Sequence, residues 1–104
     1  MSGIEEEAHY WRIEAAAELV RLPPRRIRRY LREGLIQPAR REGRTILLGE
    51  SELARLRKIR RLHDDLGLNI AGIAVALRLL AQIEAIRAAN EPRILDAGVL
   101  EAGD

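Results

Sequence analysis

Residues 14–36 read EAAAELVRLPPRRIRRYLREGLI, and this stretch predicts two short helices joined by a tight turn. Residues 14–20 favour a helix because alanine and glutamate are good helix formers. Arg21-Leu22-Pro23 breaks that helix, and Pro24 suits the first turn of a second helix, where a missing N–H costs nothing. The second helix covers residues 25–32 and ends before Gly34, since glycine readily adopts the left-handed conformation that closes many helices. Two such helices form a helix-turn-helix.

The sequence that follows predicts a small wing and two further helices. Residues 39–48 favour a β-hairpin with its turn at Glu42-Gly43, because β-branched residues come soon after the glycine. Acidic residues then open a third helix that ends at Gly67. Asn69 is a candidate N-cap for a fourth helix that reaches about residue 89. The predicted fold is therefore mainly α, a winged helix-turn-helix with a small β-hairpin wing and a long C-terminal helix.

The composition is compatible with one small folded domain. The chain has 104 residues, 47% of them hydrophobic, but no Phe, so Leu, Ile, Val and Ala must form the core. We expect a flexible N-terminus over residues 1–9, a folded domain over 10–89 and a tail over 90–104. Residues 10–13 predict either a short strand or an N-terminal extension.

Several functional classes are disfavoured by what the sequence contains. There is no cysteine, so neither a disulfide nor a thiolate metal site is expected. His9 and His63 are isolated histidines, and neither belongs to a catalytic or metal-binding pattern, so we expect no enzyme and no cofactor. The acidic start lacks an apolar signal core, and no run approaches the ~20 apolar residues of a membrane span. We therefore expect a cytoplasmic protein without membrane contact.

Charge is strongly segregated along the chain. Between Arg21 and Arg61, thirteen arginines and one lysine face four acids, a net +10, while the rest of the chain sums to −8. Such a field attracts phosphate or carboxylate surfaces. Outward arginines on the second helix suit a DNA major groove, and arginines on the wing suit backbone phosphates. The predicted polyanion contacts are Arg25, Arg26, Arg28, Arg29, Arg40, Arg41 and Arg44. The alternative is a solvated face of an arginine-rich protein.

The fourth helix is apolar over more than one face between residues 70 and 83. A helix with this pattern must be buried on two sides. A domain this short cannot cover both sides itself, since small domains bury a modest fraction of their surface. We therefore predict a dimer or partner interface at Ile73, Leu77, Leu80 and Ile83. The alternative is the core of a monomer.

Residues 13–68 resemble the winged helix-turn-helix of the MerR superfamily. The resemblance is carried by EAAAEL at 14–19, RRIRRYLREGLI at 25–36, PARR at 38–41 and LARLRKI at 53–59. LNIAGI at 68–73 is similar to both HspR-like heat-shock repressors and CbpM-like chaperone modulators, and GIAVALRLLAQIE at 72–84 is more similar to CbpM. The chain departs from DNA-binding relatives where they carry a threonine in the recognition helix and a Tyr-Ser after the wing. It has Arg26 and Leu48-Gly49 there.

The resemblance implies two functions. A CbpM-like modulator would bind the J-domain of a DnaJ-like co-chaperone and regulate its action with Hsp70, and this is the favoured hypothesis. A MerR- or HspR-like regulator would bind double-stranded DNA as a dimer to control transcription, and this is the alternative. A homodimer is expected, because the resemblance implies dimer contacts by the fourth-helix region in MerR relatives. In CbpM-like proteins it implies either self-association or contact of this region with the J-domain. A plain interaction adaptor is a third hypothesis.

Overall fold

The computed structural model describes residues 9–91, in which four helices and three short strands form the predicted mainly α winged helix-turn-helix. The elements in chain order are β1 (Trp11–Arg12), α1 (Ile13–Val20), α2 (Pro24–Arg32), β2 (Arg40–Glu42), β3 (Thr45–Leu48), α3 (Glu50–Asp64) and α4 (Ile70–Asn90). The chain divides into two compact units, one up to Ala74 and one from Val75 onward. The predicted flexible N-terminus and tail lie almost wholly outside the described residues.

The helix-turn-helix forms as the sequence predicts, because both helices end in local left-handed caps. After α1, Arg21 adopts φ 62° and the N–H of Leu22 donates to the carbonyl of Ala17 at 3.0 Å. After α2, Gly34 adopts φ 79° and the N–H of Leu35 donates to the carbonyl of Tyr30 at 2.9 Å. These hydrogen bonds satisfy carbonyls that have no partner inside the helix.

Replacing Arg21 with Gly is expected to stabilise the fold by about 0.5–1 kcal/mol. A left-handed backbone costs a residue with a Cβ roughly 1–2 kcal/mol, and the extra flexibility of glycine in the unfolded chain cancels only part of that gain. A rise of about 2–6 °C in the melting temperature follows for a domain of this size. Arg21→Ala is the matched control, because it removes the same charge and keeps the Cβ. An equal rise in both variants would contradict the backbone explanation.

The three strands form one antiparallel sheet with β3 in the centre. Trp11 pairs with Leu48 on one side of β3, and Glu42 pairs with Thr45 on the other. The hairpin loop is Gly43-Arg44, one residue later than predicted. Gly43 has φ 62° and Arg44 has a negative φ, the pattern of a type II′ turn with glycine first. Arg44 therefore lies at the tip of the wing rather than in a strand.

The core is aliphatic apart from the buried Tyr30, in line with the absence of Phe, and it joins α1, α2, α3 and β3. Leu53, Leu56 and Ile59 form the buried side of α3, and each is at most 2% exposed. Full burial of such side chains stabilises a fold by about 1.5–3 kcal/mol each. α3 begins with a hydrogen bond from the N–H of Gly49 to the Glu52 carboxylate at 2.8 Å. This is one half of a capping box, since glycine has no side chain to supply the other half.

The start of α4 confirms the predicted cap at Asn69, whose side-chain oxygen accepts a hydrogen bond from the N–H of Gly72 at 2.8 Å. The predicted interface residues of this helix separate into two groups. Ile73 is 0% exposed and Leu77 is 5% exposed, so neither presents a free surface in the single chain. Leu80 and Ile83 are exposed, together with Val75, Leu79 and Ile86. The exposed apolar surface of α4 therefore includes three residues that were not predicted, and it does not include Ile73 or Leu77.

Candidate nucleic-acid interface

The five arginines of α2 spread around the side of the helix opposite the buried Ile27. At about 100° per residue, Arg25 and Arg29 lie near the middle of this arc. Arg28 and Arg32 lie on one side of that centre and Arg26 on the other. Arg25, Arg28, Arg29 and Arg32 are exposed, whereas Arg26 is half-buried. The helix therefore presents most of its positive charge to solvent from one continuous surface.

Arg26 differs from its neighbours because it bonds within the chain. Its guanidinium donates to the Tyr30 hydroxyl at 2.7 and 3.0 Å and lies 5.6 Å from the centre of the Tyr30 ring. It also lies 3.6 Å from the carboxylate of Asp64 at the end of α3. Residues four apart on a helix are neighbours, which brings Tyr30 within reach. The sequence grouped Arg26 with the outward side chains, but the structure uses it to join α2 to α3.

Two carboxyl groups next to these arginines have lowered pKa values. The pKa of Asp64 is lowered chiefly by its hydrogen bond with His63, whose Nδ1 lies 2.8 Å away, and also by the charge of Arg26. The pKa of Glu14 is lowered first by a hydrogen bond to its own backbone and then by Arg28 at 2.5 Å. Each contributes stability that is present above its pKa in the unfolded chain and is lost as pH falls through the lowered value.

Two of the three arginines of the wing have no ion pair with another described residue. Arg40 pairs with Glu42 at 3.1 Å, and its guanidinium lies 5.4 Å from the centre of the Tyr10 ring. Arg41 and Arg44 are exposed, and neither has an ion-pair partner within residues 9–91. Arg40 therefore anchors the base of the wing, and the next two arginines face solvent.

Part of the positive charge on α3 serves the fold instead. Arg55 donates to the carbonyl of Leu35, just after α2, at 2.5 Å. Arg60 donates to the carbonyl of Val20, the last residue of α1, at 2.9 Å. Both guanidinium groups satisfy carbonyls at or just after the C-terminal end of a helix, where no partner inside the helix is available. These two residues belong to the basic segment of the sequence but not to its free surface.

Five exposed arginines on α2 and the wing thus lack an internal carboxylate in the described part of the chain. They are Arg25, Arg29 and Arg32 on α2 and Arg41 and Arg44 on the wing. Arginine forks donate paired hydrogen bonds to phosphate and to guanine edges, so this surface is suited to a nucleic acid. Across residues 9–91, no group of three or more His, Asp or Glu side chains is placed to hold a metal ion.

Residues 11–80 match the family described as the MerR HTH family regulatory protein. This chain belongs to the MerR family. The match begins at β1 and includes the helix-turn-helix, the wing, α3 and the first half of α4. Within the described residues of this MerR-family chain, no helix is long and apolar enough to cross a membrane.

Two known proteins are similar to this chain, one in sequence and one in structure. The heat shock protein HspR of Streptomyces coelicolor is 33% identical over 85 residues, which are 82% of this chain and 56% of that relative. The chain therefore spans just over half the length of the curated relative that it matches. A MerR-family transcriptional regulator from Bacillus cereus superimposes with a TM-score of 0.58 at 25% identity, over 89% of this chain and 76% of that one.

These matches confirm the MerR-superfamily part of the sequence resemblance. The family is one of regulatory proteins, and the Bacillus cereus relative is named as a transcriptional regulator of the same family. The narrower resemblance to CbpM stays a prediction. The DNA-binding alternative drawn from the sequence is therefore better supported than the chaperone modulator.

Proposed function

We propose that this MerR-family chain is a dimeric DNA-binding regulator of transcription. The observation that carries the proposal is the pair Arg25 and Arg29 at the exposed centre of α2, with Arg41 and Arg44 on the neighbouring wing. None of the four is neutralised by a carboxylate within residues 9–91. Unpaired arginine forks clustered in this way favour an external anion as their partner.

The geometry of α2 suits the major groove of DNA. Arg25 and Arg29 are four residues apart, about 6 Å along the helix axis. That rise is close to two base-pair steps of about 3.4 Å, so both side chains reach neighbouring base edges when α2 lies in the groove. Arg41 and Arg44 then contact the phosphate backbone beside the groove, where they position the protein without reading sequence.

The dimer is proposed to form through α4. Val75, Leu79, Ile83 and Ile86 follow each other at intervals of four, four and three residues, so they lie along one side of the helix. Their exposed fractions run from 44% to 59%. Exposed apolar stripes of this kind mark interaction surfaces. A second copy offers an identical stripe, so two chains can cover each other around a two-fold axis, as a regulator of paired DNA half-sites requires.

DNA binding should be visible directly and should depend steeply on salt. The test is fluorescence anisotropy with labelled duplexes from the region upstream of the gene, between about 50 and 200 mM salt. Each phosphate neutralised by arginine releases a counterion, so the logarithm of the binding constant should fall linearly with the logarithm of salt concentration. With six to ten phosphate contacts per dimer, the expected loss over this range is about 10³–10⁵-fold. No binding at micromolar protein in 50 mM salt would overturn the proposal.

A J-domain modulator is the second candidate, favoured by the same exposed stripe on α4, which also suits an apolar partner surface. Parallel measurements of binding to an isolated J-domain and to DNA distinguish the two functions. Micromolar J-domain binding without DNA binding would replace the regulator with the modulator. DNA binding with no J-domain binding would dismiss the modulator.

A further inference from the structure

A concave groove lies between α2 and the wing, on the side of α2 that carries Arg28 and Arg32. Its volume is about 510 Å³. The charged lining comes from four elements, and its members are Arg12, Glu14, Arg28, Arg32, Arg41 and Arg44. Five arginines and one glutamate give the groove a net charge of +4 when all are ionised, with Leu31 and Ile46 contributing apolar surface. A second cavity, of about 260 Å³, is lined by only two arginines, Arg26 and Arg29.

We infer that this groove holds a segment of the DNA phosphate backbone, and that Glu14 sets an upper limit on its affinity. The inference deepens the proposed DNA-binding function and rests on it. It adds Arg12 and Arg32 to the contact surface, since neither belongs to the set predicted from sequence. It also assigns Glu14 a role in weakening the binding of DNA.

The position of the groove favours a DNA backbone as its occupant. Arg28 and Arg32 lie about 60° and 20° around α2 from Arg25, on the side that faces the wing. A duplex that receives Arg25 and Arg29 in its major groove therefore brings a backbone strand alongside Arg28 and Arg32. Arg12 is held at the edge of the same space because β1 pairs with β3, where Arg12 is opposite Leu47. Arginine forks from a helix, a strand and a hairpin thus converge on one strand of phosphates.

Glu14 opposes this binding because its carboxylate is paired with Arg28, one of the five arginines of the groove. Its carboxylate accepts a hydrogen bond from Arg28 at 2.5 Å, and its side chain is 66% exposed. It also lies in the first turn of α1, where a negative charge suits the helix dipole. An entering phosphate must either displace Glu14 from Arg28 or approach a second negative charge. Removing the charge while keeping the shape should therefore strengthen binding.

The gain-of-affinity test compares Glu14→Gln with Glu18→Gln. Both variants lose one negative charge from α1, but Glu18 is exposed and does not line the groove. Glu14→Gln should bind DNA about threefold to tenfold more tightly at ~50 mM salt, with a smaller gain at high salt, where charges are screened. Glu18→Gln should change the affinity much less.

The loss-of-affinity test compares Arg12→Ala and Arg32→Ala with Arg57→Ala, which removes the same charge from an exposed position on α3 outside the groove. Each groove variant should weaken binding by about threefold to tenfold, equally for specific and scrambled duplexes. Each should also lower the salt slope by about two for the proposed dimer, because one phosphate contact is lost from each half-site. Circular dichroism checks that every variant melts within a few degrees of the unchanged chain.

The outcomes separate this inference from the function on which it rests. If the unchanged chain binds DNA but Arg12→Ala and Arg32→Ala behave like Arg57→Ala, the groove does not hold the backbone. If Glu14→Gln behaves like Glu18→Gln, Glu14 does not limit the affinity. Failure of the unchanged chain to bind any duplex would overturn the proposed function and this inference together.

Discussion

Changing both Arg25 and Arg29 to Ala is expected to lower the affinity for a specific DNA site by at least about 30-fold. Each well-placed arginine that reads a base contributes roughly 1–3 kcal/mol of discrimination, so the pair contributes about 2–6 kcal/mol. Both side chains are exposed and have no internal partner in the described residues, so the melting temperature should barely change. Fluorescence anisotropy with the specific duplex and with a scrambled duplex of equal length measures the effect. The loss should be greater for the specific duplex.

The chain offers a closely matched control for this double variant. Arg57 and Arg61 are also exposed arginines four residues apart, but they lie on α3. Changing these two to Ala removes the same charge with the same spacing, and only a modest, sequence-independent loss is expected. If the two double variants weaken binding equally, net charge alone accounts for the affinity and α2 is not the recognition helix.

Changing Leu79 and Ile83 to Asp is expected to separate the proposed dimer into monomers and raise its dissociation constant at least about 100-fold. Both side chains belong to the exposed stripe of α4, and a carboxylate buried without a partner in an apolar interface costs several kcal/mol. Sedimentation velocity over a range of protein concentrations measures the change in molecular mass. Binding to a two-half-site duplex should weaken in parallel, because each monomer then contacts one half-site.

Ala81 and Ala85 supply the control for the charged pair on α4. They are exposed, are four residues apart on the same helix and lie well away from the stripe in angle. Their double change to Asp adds the same two charges and should leave the dimer intact. Equal dissociation by both double variants would point to a general effect on the helix, and a monomeric unchanged chain at micromolar concentration would exclude the proposed interface.

The helices were predictable because their signals are local. Pro24 at the start of α2 and Gly34 after its end are properties of the residues themselves. The wing was predictable as a hairpin, but its turn falls one residue later, since Gly43 takes the positive φ at the first loop position. The pairing of β1 with β3 had no local signal, because it joins Trp11 to Leu48 across the whole helix-turn-helix.

The positive charge of the candidate site was predictable, but which arginines bind within the fold and which stay exposed was not. From the sequence alone, the arginines between residues 21 and 61 cannot be distinguished by the contacts that they make. The structure keeps Arg25 and Arg29 exposed, pairs Arg28 with Glu14, and places Arg55 and Arg60 on backbone carbonyls. The apolar face of α4 shows the same limit, since Ile73 is buried while Ile83 is exposed on the same helix.

The amino-acid sequence by itself determined the helices, the caps at Gly34 and Asn69, the wing and the positive sign of the charge around them. These features depend on residues within about four positions of one another, or on composition alone. Only the tertiary structure decided which arginines are free to meet a phosphate. The partners that occupy Arg28, Arg55 and Arg60 lie 14, 20 and 40 positions away along the chain. Such contacts form only when the helices pack, so the charge of the segment was readable in advance and its distribution between fold and surface was not.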